Sequence, residues 1–243
     1  MPGDQRTTAA TGPALNVLKQ SPVRLVIFDC DGVLIDSEIV VCRVTAEELT
    51  RLGYATTTEE VIERFAGRPE REMIAEIEAD WGRPVPAEFL ERTKARVEEA
   101  YAGELQVIPG VAAVLDKMDV EVCVASSSYP AKLKLGLEST GLYDRFSPRI
   151  VSASYVAQGK PAPDIFIYAA GWMQTPIADC LVIEDSIPGV RAAVSAGIRV
   201  VGFAGGSHCG PSHAERLRAA GAAHVFNNYD DLPDLLPALF TAS

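Results

Sequence analysis

Asp29 and Asp31 stand two residues apart in Asp29-Cys30-Asp31-Gly32, directly after the apolar run Val23-Arg24-Leu25-Val26-Ile27-Phe28. Glu184 and Asp185 follow a second apolar run, Cys180–Ile183. Ser126, Ser127 and Ser128 follow a third, Val120–Ala125, and Lys160 comes a short loop after a fourth, Arg149–Ser152. Each piece alone has a plainer reading: Asp and Gly suit turns, Ser126 and Asp185 suit helix caps, and Lys160 suits a surface. Four carboxylates gathered at one rim would repel one another unless a cation neutralised them. All-oxygen ligands select a hard divalent ion, with Mg2+ the expected one. That set fits phosphoryl transfer from a monoester, which needs an in-line nucleophile, neutralised phosphoryl oxygens and a proton for the leaving oxygen. Asp29 is the expected nucleophile, kept ionised by the metal and Lys160. Asp31 is the expected acid for the leaving group, and then the base for the water that hydrolyses the aspartyl-phosphate. Ser126 is expected to donate to a phosphoryl oxygen, with Lys160 offsetting its charge.

These residues meet only if the apolar runs are parallel strands of one sheet, because ligands bind beyond the carboxyl ends of such strands. The pattern after Pro109-Gly110 supports this. Strands at Val120–Ala125, Arg149–Ser152, Cys180–Ile183, Arg199–Phe203 and His224–Phe226 alternate with helices at Val111–Met118, Ala131–Ser139, Ile165–Met173, Val190–Ala196 and His213–Ala219. Such alternation predicts an α/β fold, a doubly wound parallel sheet with helices on both faces. Between Asp36 and about Leu105 there is no strand pattern, only apolar stripes at helical spacing, such as Met73, Ile74, Ile77 and Trp81. The expected organisation is a polar N-terminal tail at 1–21, an α/β catalytic core of 22–36 plus 107–243, and an inserted helical cap at 38–105. Gly67-Arg68-Pro69 breaks the cap's helical pattern where a loop would close over the site. Gly67, Arg68 and Ser127 are therefore candidate substrate contacts, while a solvated surface charge is the plainer reading of Arg68 and Arg71.

Composition removes other classes. The chain has 243 residues, with 22 Lys+Arg against 33 Asp+Glu and a formal net charge of −11. It lacks the basic footprint of a nucleic-acid or anionic-membrane binder, and no apolar run reaches the roughly 18 residues that span a bilayer. Residues 1–21 lack the apolar segment of a secretory signal. Five scattered cysteines, with Cys123 and Cys180 inside strand-like runs, point to reduced thiols and a cytoplasmic setting. His208, Cys209 and His213 lack a fourth ligand at zinc-like spacing.

Phe28-Asp29-Cys30-Asp31-Gly32-Val33-Leu34-Ile35-Asp36-Ser37 resembles the first motif of the haloacid dehalogenase (HAD) superfamily. Ser126, Lys160 and Glu184-Asp185 fall where its second, third and fourth motifs belong. The resemblance runs from Val23 to Leu236 and is nearest to the branch of beta-phosphoglucomutase and small sugar-phosphate phosphatases. It implies a Rossmann-like HAD core with a specificity-setting cap, and Mg2+ held by Asp29, the Asp31 backbone carbonyl and Asp185, with Glu184 at or near the metal. The chain departs from the mutase pattern at three places. Val41 stands at the position of its cap histidine, Glu70 at that of its phosphate-binding arginine, and Pro130 at that of the asparagine after the second-motif serines. Asp31 speaks against dehalogenation, whose members lack that second aspartate. The expectation is a monomeric, cytoplasmic, Mg2+-dependent phosphatase of small phosphomonoesters, sugar or sugar-acid phosphates. Its partner would be a small phosphorylated metabolite rather than nucleic acid or membrane. The alternatives are a hexose-phosphate mutase, or a receiver-like regulator phosphorylated on Asp29 with poor turnover.

Overall fold

Strands whose residues are apolar at every position can be stable only with both sheet faces covered, and that is how these runs are used. In the computed structural model, which describes residues 22–66, 68 and 70–240, six strands form one parallel sheet. They are β1 (Leu25–Phe28), β2 (Glu121–Ser126), β3 (Ile150–Ser152), β4 (Cys180–Glu184), β5 (Arg199–Phe203) and β6 (His224–Phe226), in the order β3-β2-β1-β4-β5-β6. The β1 side chains alternate between two buried clusters, Val26 and Phe28 in one and Leu25 and Ile27 in the other. Strand order reverses between β1 and β4, where Phe28 aligns with Val124 on β2 and with Ile183 on β4. Asp29 after Phe28, Ser126 two residues beyond Val124, and Glu184-Asp185 after Ile183 are therefore brought to one crevice. The expected tail at 1–21 and Gly67 lie outside the described residues.

Between β1 and β2 come helices α1 (Ser37–Leu52), α2 (Thr58–Phe65), α3 (Glu70–Trp81) and α4 (Phe89–Glu104). They enclose an apolar cluster of their own, including Leu49, Val61, Phe65, Ile77 and Phe89. α2 begins with a capping box in which Thr57 Oγ1 accepts from the Glu60 amide and Glu60 accepts from the Thr57 amide. The two chain crossings into and out of these helices pair with each other: Asp36 N donates to Gln106 O, and Ile108 N donates to Leu34 O.

The later helices are α5 (Val111–Lys117), α6 (Pro130–Ser139), α7 (Tyr143–Phe146), α8 (Asp164–Trp172), α9 (Ile187–Ser195), α10 (His213–Ala220) and α11 (Leu232–Leu235). Three start earlier than the periodicity predicts, α8 by one residue at Asp164. α6 opens on Pro130, whose fixed φ suits a first helical residue. α9 opens at Ile187 because the N-cap is Ser186, whose Oγ accepts from Gly189 N. Asp185 is thereby left uncapped and available to the site. No helix among the described residues is long and apolar enough to cross a membrane.

Candidate active site

The turn after β1 is set by backbone bonds from Gly32 N to Ile35 O and from Leu34 N to Cys30 O. Gly32 has φ +76, and a Cβ there would overlap Asp185 Oδ2, so glycine is what lets the β1 and β4 ends meet. Asp29 is buried at the end of β1. Lys160 Nζ bridges Asp29 Oδ1 and Glu184 Oε2 at 2.7 Å each, with its side chain 4% exposed, so it is no surface charge. Glu184 is fully buried, and its Oε1 accepts from Ser186 N (3.0 Å) and Ser186 Oγ (2.7 Å). Gly189 leaves the room that this carboxylate fills, since a Cβ there would overlap it.

Asp31 points to the other side of the crevice. Its Oδ1 accepts from Ser37 Oγ (2.7 Å) and pairs with Lys132 Nζ at 3.2 Å. Its Oδ2 accepts from Ser128 Oγ (2.6 Å) and, more distantly, from Ser126 Oγ at 3.4 Å. Ser126 is no helix cap: α6 starts four residues on, and Ser126 Oγ accepts from Ser128 N instead. Asp185 is held by two histidines, His208 Nε2 lying 3.2 Å from its Oδ2 and His213 Nε2 bonding its backbone carbonyl at 2.6 Å. The loop carrying His208 is tied down by Ser207, which bonds the Asp36 carboxylate through both its amide and its hydroxyl.

The acids behave differently. Burial pushes the Asp29 carboxyl well above the usual carboxylate range; Glu184 adds to this, and Lys160 only partly offsets it. Burial also acts upward on Asp31, but Lys132 with the Ser128 and Ser37 hydrogen bonds outweighs it and sets the group at about 2. Asp185 is raised to about 6 by burial, with His208 opposing. Ligand oxygens of Asp29, Glu184 and Asp185 all lie within 4.8 Å of one another. An all-carboxylate set whose central member resists ionisation fits a hard, oxygen-preferring divalent cation.

Asp29, Asp31, Lys160 and Asp185 line a cavity of about 430 Å3, together with Ser126, Ser127, Ser128 and Lys132 from the β2 side and Arg68 from the cap, while Glu184 reaches it through Lys160. The structure thus brings together Asp29, Asp31, Ser126, Ser127, Lys160, Glu184, Asp185 and Arg68. Arg68 is tethered rather than freely solvated, its guanidinium lying 2.7 Å from Glu76; Arg71 does not line this cavity. The ligand atoms of His208, Cys209 and His213 also cluster within 4.8 Å, but both histidines are engaged with Asp185.

Sequence reasoning missed Lys132. Its signal was its place in the first turn of a helix, where the macrodipole disfavours a cation, so an acid had to stand opposite. The holding roles of Ser37, Ser128 and the two histidines carried no local signal, because their partners are remote in sequence.

A sequence profile described as haloacid dehalogenase-like hydrolase matches residues 26–203. The 6-phosphogluconate phosphatase of Escherichia coli is 26% identical over 219 residues, covering 90% of this chain and 96% of that one. A conserved haloacid dehalogenase-like protein of Agrobacterium tumefaciens superposes with a TM-score of 0.83 at 37% identity, covering 89% of this chain and 98% of its own. A HAD family hydrolase of Deinococcus radiodurans, solved with bound phosphate and sodium, gives a TM-score of 0.81 at 30% identity, covering 92% of this chain and 100% of its own.

Proposed function

Because the chain belongs to the haloacid dehalogenase-like hydrolases, we propose that it is a Mg2+-dependent phosphatase of small phosphomonoesters, with sugar or sugar-acid phosphates as the starting class. The phosphatase reading is supported by a relative named for that activity. The observation that carries it is the Lys160 bridge between Asp29 and Glu184 at the strand-order reversal. One buried ammonium holds the nucleophile's carboxylate in place and presents positive charge where phosphoryl oxygens would sit.

Asp29 attacks phosphorus, the ester oxygen leaves, and an aspartyl-phosphate forms. Asp31, held at about 2 in the free chain, is raised by the negative charge of the incoming phosphate, gives the leaving oxygen its proton, and then takes one from the water that attacks the acyl phosphate and regenerates Asp29. Ser126, Ser127 and Lys160 line the phosphate cavity and bind its oxygens. Asp29, Asp185 and the Asp31 carbonyl would hold Mg2+, with Glu184 beside it steadying Lys160; the ion would supply charge neutralisation on the phosphoryl group. The cap would supply specificity through Arg68 and the neighbouring Gly67. A mutase is the less supported alternative, since Val41 supplies no proton-transfer group at the cap position where a mutase needs one. The receiver-like alternative predicts a long-lived phospho-Asp29.

Release of inorganic phosphate from a panel of sugar, sugar-acid and nucleotide monoesters, with Mg2+ and again with a chelator, tests the proposal. Metal-dependent release is expected. Release from no compound would overturn it, with an isomerised sugar phosphate pointing to the mutase and a persistent aspartyl-phosphate to the regulator.

A further inference from the structure

Behind the phosphate cavity lies a second of about 580 Å3, and Ser127, Ser128, Lys132 and Arg68 line both. The second cavity is therefore where the remainder of a bound monoester extends. Its volume falls in the range of about 300–1,000 Å3 typical of ligand sites. Its walls from α1, α2, α3 and α4 carry an apolar stretch of Val41, Val61, Phe65, Met73 and Val97, with Glu38, Glu70, Glu91, Lys94 and Glu98 also lining the cavity. On the core side stands Tyr129, whose ring has Lys94 Nζ 4.4 Å from its centroid and whose hydroxyl donates to Glu98.

One polar atom in this wall has no protein partner: Thr93 Oγ1 is buried without a hydrogen bond, on a residue 8% exposed that lines the cavity. A buried hydroxyl left unpaired costs about 1–3 kcal/mol, so this wall suits a ligand that satisfies it. Tyr101, 1% exposed, also lines the cavity, and its hydroxyl interacts with Ser37. Thr93 and Tyr101 both lie on α4, eight residues apart, which is ~12 Å along a helix axis. Tyr101 is at the phosphate end, with Lys132 Nζ 5.9 Å from its ring centroid, and Thr93 is at the far end. That separation exceeds a single sugar ring. Against the stretch of Val61, Phe65, Met73 and Val97 the hydroxyls of a polyhydroxylated open chain would go unpaired.

We propose that the leaving group is a nucleoside or a close analogue: a phosphorylated sugar carrying a flat heterocycle. The sugar lies beside Tyr101, the apolar faces of the ring lie among Val61, Phe65, Met73 and Val97, and the polar ring edge bonds Thr93 Oγ1. This narrows the sugar-phosphate class and rests on the phosphatase reading above.

The test compares kcat/KM for ribose 5-phosphate with that for uridine and adenosine 5′-monophosphates, in wild type and in Thr93→Val. The first substrate and the nucleotides share the same ester and differ in the ring. At least one nucleotide is expected to exceed ribose 5-phosphate by tenfold or more, and Thr93→Val is expected to cut that ratio about tenfold through KM. Thr93→Val should also leave thermal stability unchanged or higher, because the lost hydroxyl bonds nothing in the protein. Ribose 5-phosphate turned over as well as both nucleotides, or a ratio unmoved by Thr93→Val, would overturn the inference while leaving the phosphatase reading intact. No phosphate from any of the three, or from the wider panel, would instead bring down the phosphatase reading itself.

Discussion

Glu48 in the cap and Asp29 in the core are both buried carboxylates, and their surroundings are opposite. Glu48 is 1% exposed and bonded by Arg51 at 2.8 Å and by Arg96 at 3.0 Å, with Arg92 at 3.4 Å. Those hydrogen bonds, led by Arg51, overcome burial and hold its carboxyl at about 2. Asp29 shares Lys160 with Glu184 and has Asp185 and Asp31 as further acidic neighbours, so its carboxyl is driven up instead. Glu48 is surrounded by more positive charge than it carries; Asp29 is left short, a deficit that in the proposed function a cation and a phosphoryl group complete. On that proposal the cap cluster stabilises the fold without chemistry, and the Asp29 cluster serves chemistry at a cost in stability.

The contrast can be broken first at Asp29. Asp29→Asn is expected to lower phosphate release by about 10^4-fold or more, without lowering the melting temperature of the metal-free protein. Retained turnover would remove it as nucleophile. Lys160→Met should cost about 10^2–10^3-fold in kcat, the scale of a lost transition-state donor; a change confined to KM would assign Lys160 to binding alone. On the cap side, Glu48→Gln should destabilise by about 2 kcal/mol in denaturant unfolding yet leave kcat/KM at 25 °C within about threefold. A comparable loss in turnover would show that the two clusters are not separate in function. Lys132→Met should let the Asp31 carboxyl rise from about 2, shifting the alkaline limb of the kcat/KM profile, where the acid loses its proton, to higher pH and changing the rate about tenfold. An unmoved limb would place Lys132 outside proton transfer.

The smallest effect is in stability against pH, where the two carboxylates have opposite signs. The Glu48 carboxyl lies lower in the folded chain than its ordinary value of about 4.3, so its contribution is full above that value and is lost as pH falls towards about 2. The Asp29 carboxyl lies higher in the folded chain, so the metal-free protein binds an extra proton above the ordinary range and loses stability as pH rises through it. Mg2+ should therefore raise the melting temperature by a few degrees more at pH 7.5 than at pH 5. Equal increments at both pH values would contradict that sign.

The sheet and its polar strand ends were legible because a strand buried on both faces must be apolar throughout and must stop at its first charge. Asp29, Glu184-Asp185 and Ser126 each mark such a stop, and the parallel fold brings the stops together. Lys160 was legible through its place in the chain order, not through its own surroundings. The cap's helices showed in their apolar stripes, but the Glu48 cluster did not: Arg51, Arg92 and Arg96 read as solvated surface until α1 and α4 pack and bring all three to one acid. The same blindness to contacts remote in sequence hid Lys132 and the two histidines on Asp185. The unpaired hydroxyl of Thr93 was hidden for a further reason, since a missing partner is visible only once all the neighbours are placed.

Magnesium titration calorimetry at neutral pH, on wild type beside Glu48→Gln and Asp185→Asn, tests most directly whether the charge deficit in the core is a cation site. Wild type and Glu48→Gln are expected to bind about one ion per chain with release of protons, because Asp29 must ionise to accept it, and Asp185→Asn is expected to lose that binding. Undiminished binding in Asp185→Asn, or none in wild type, would contradict it.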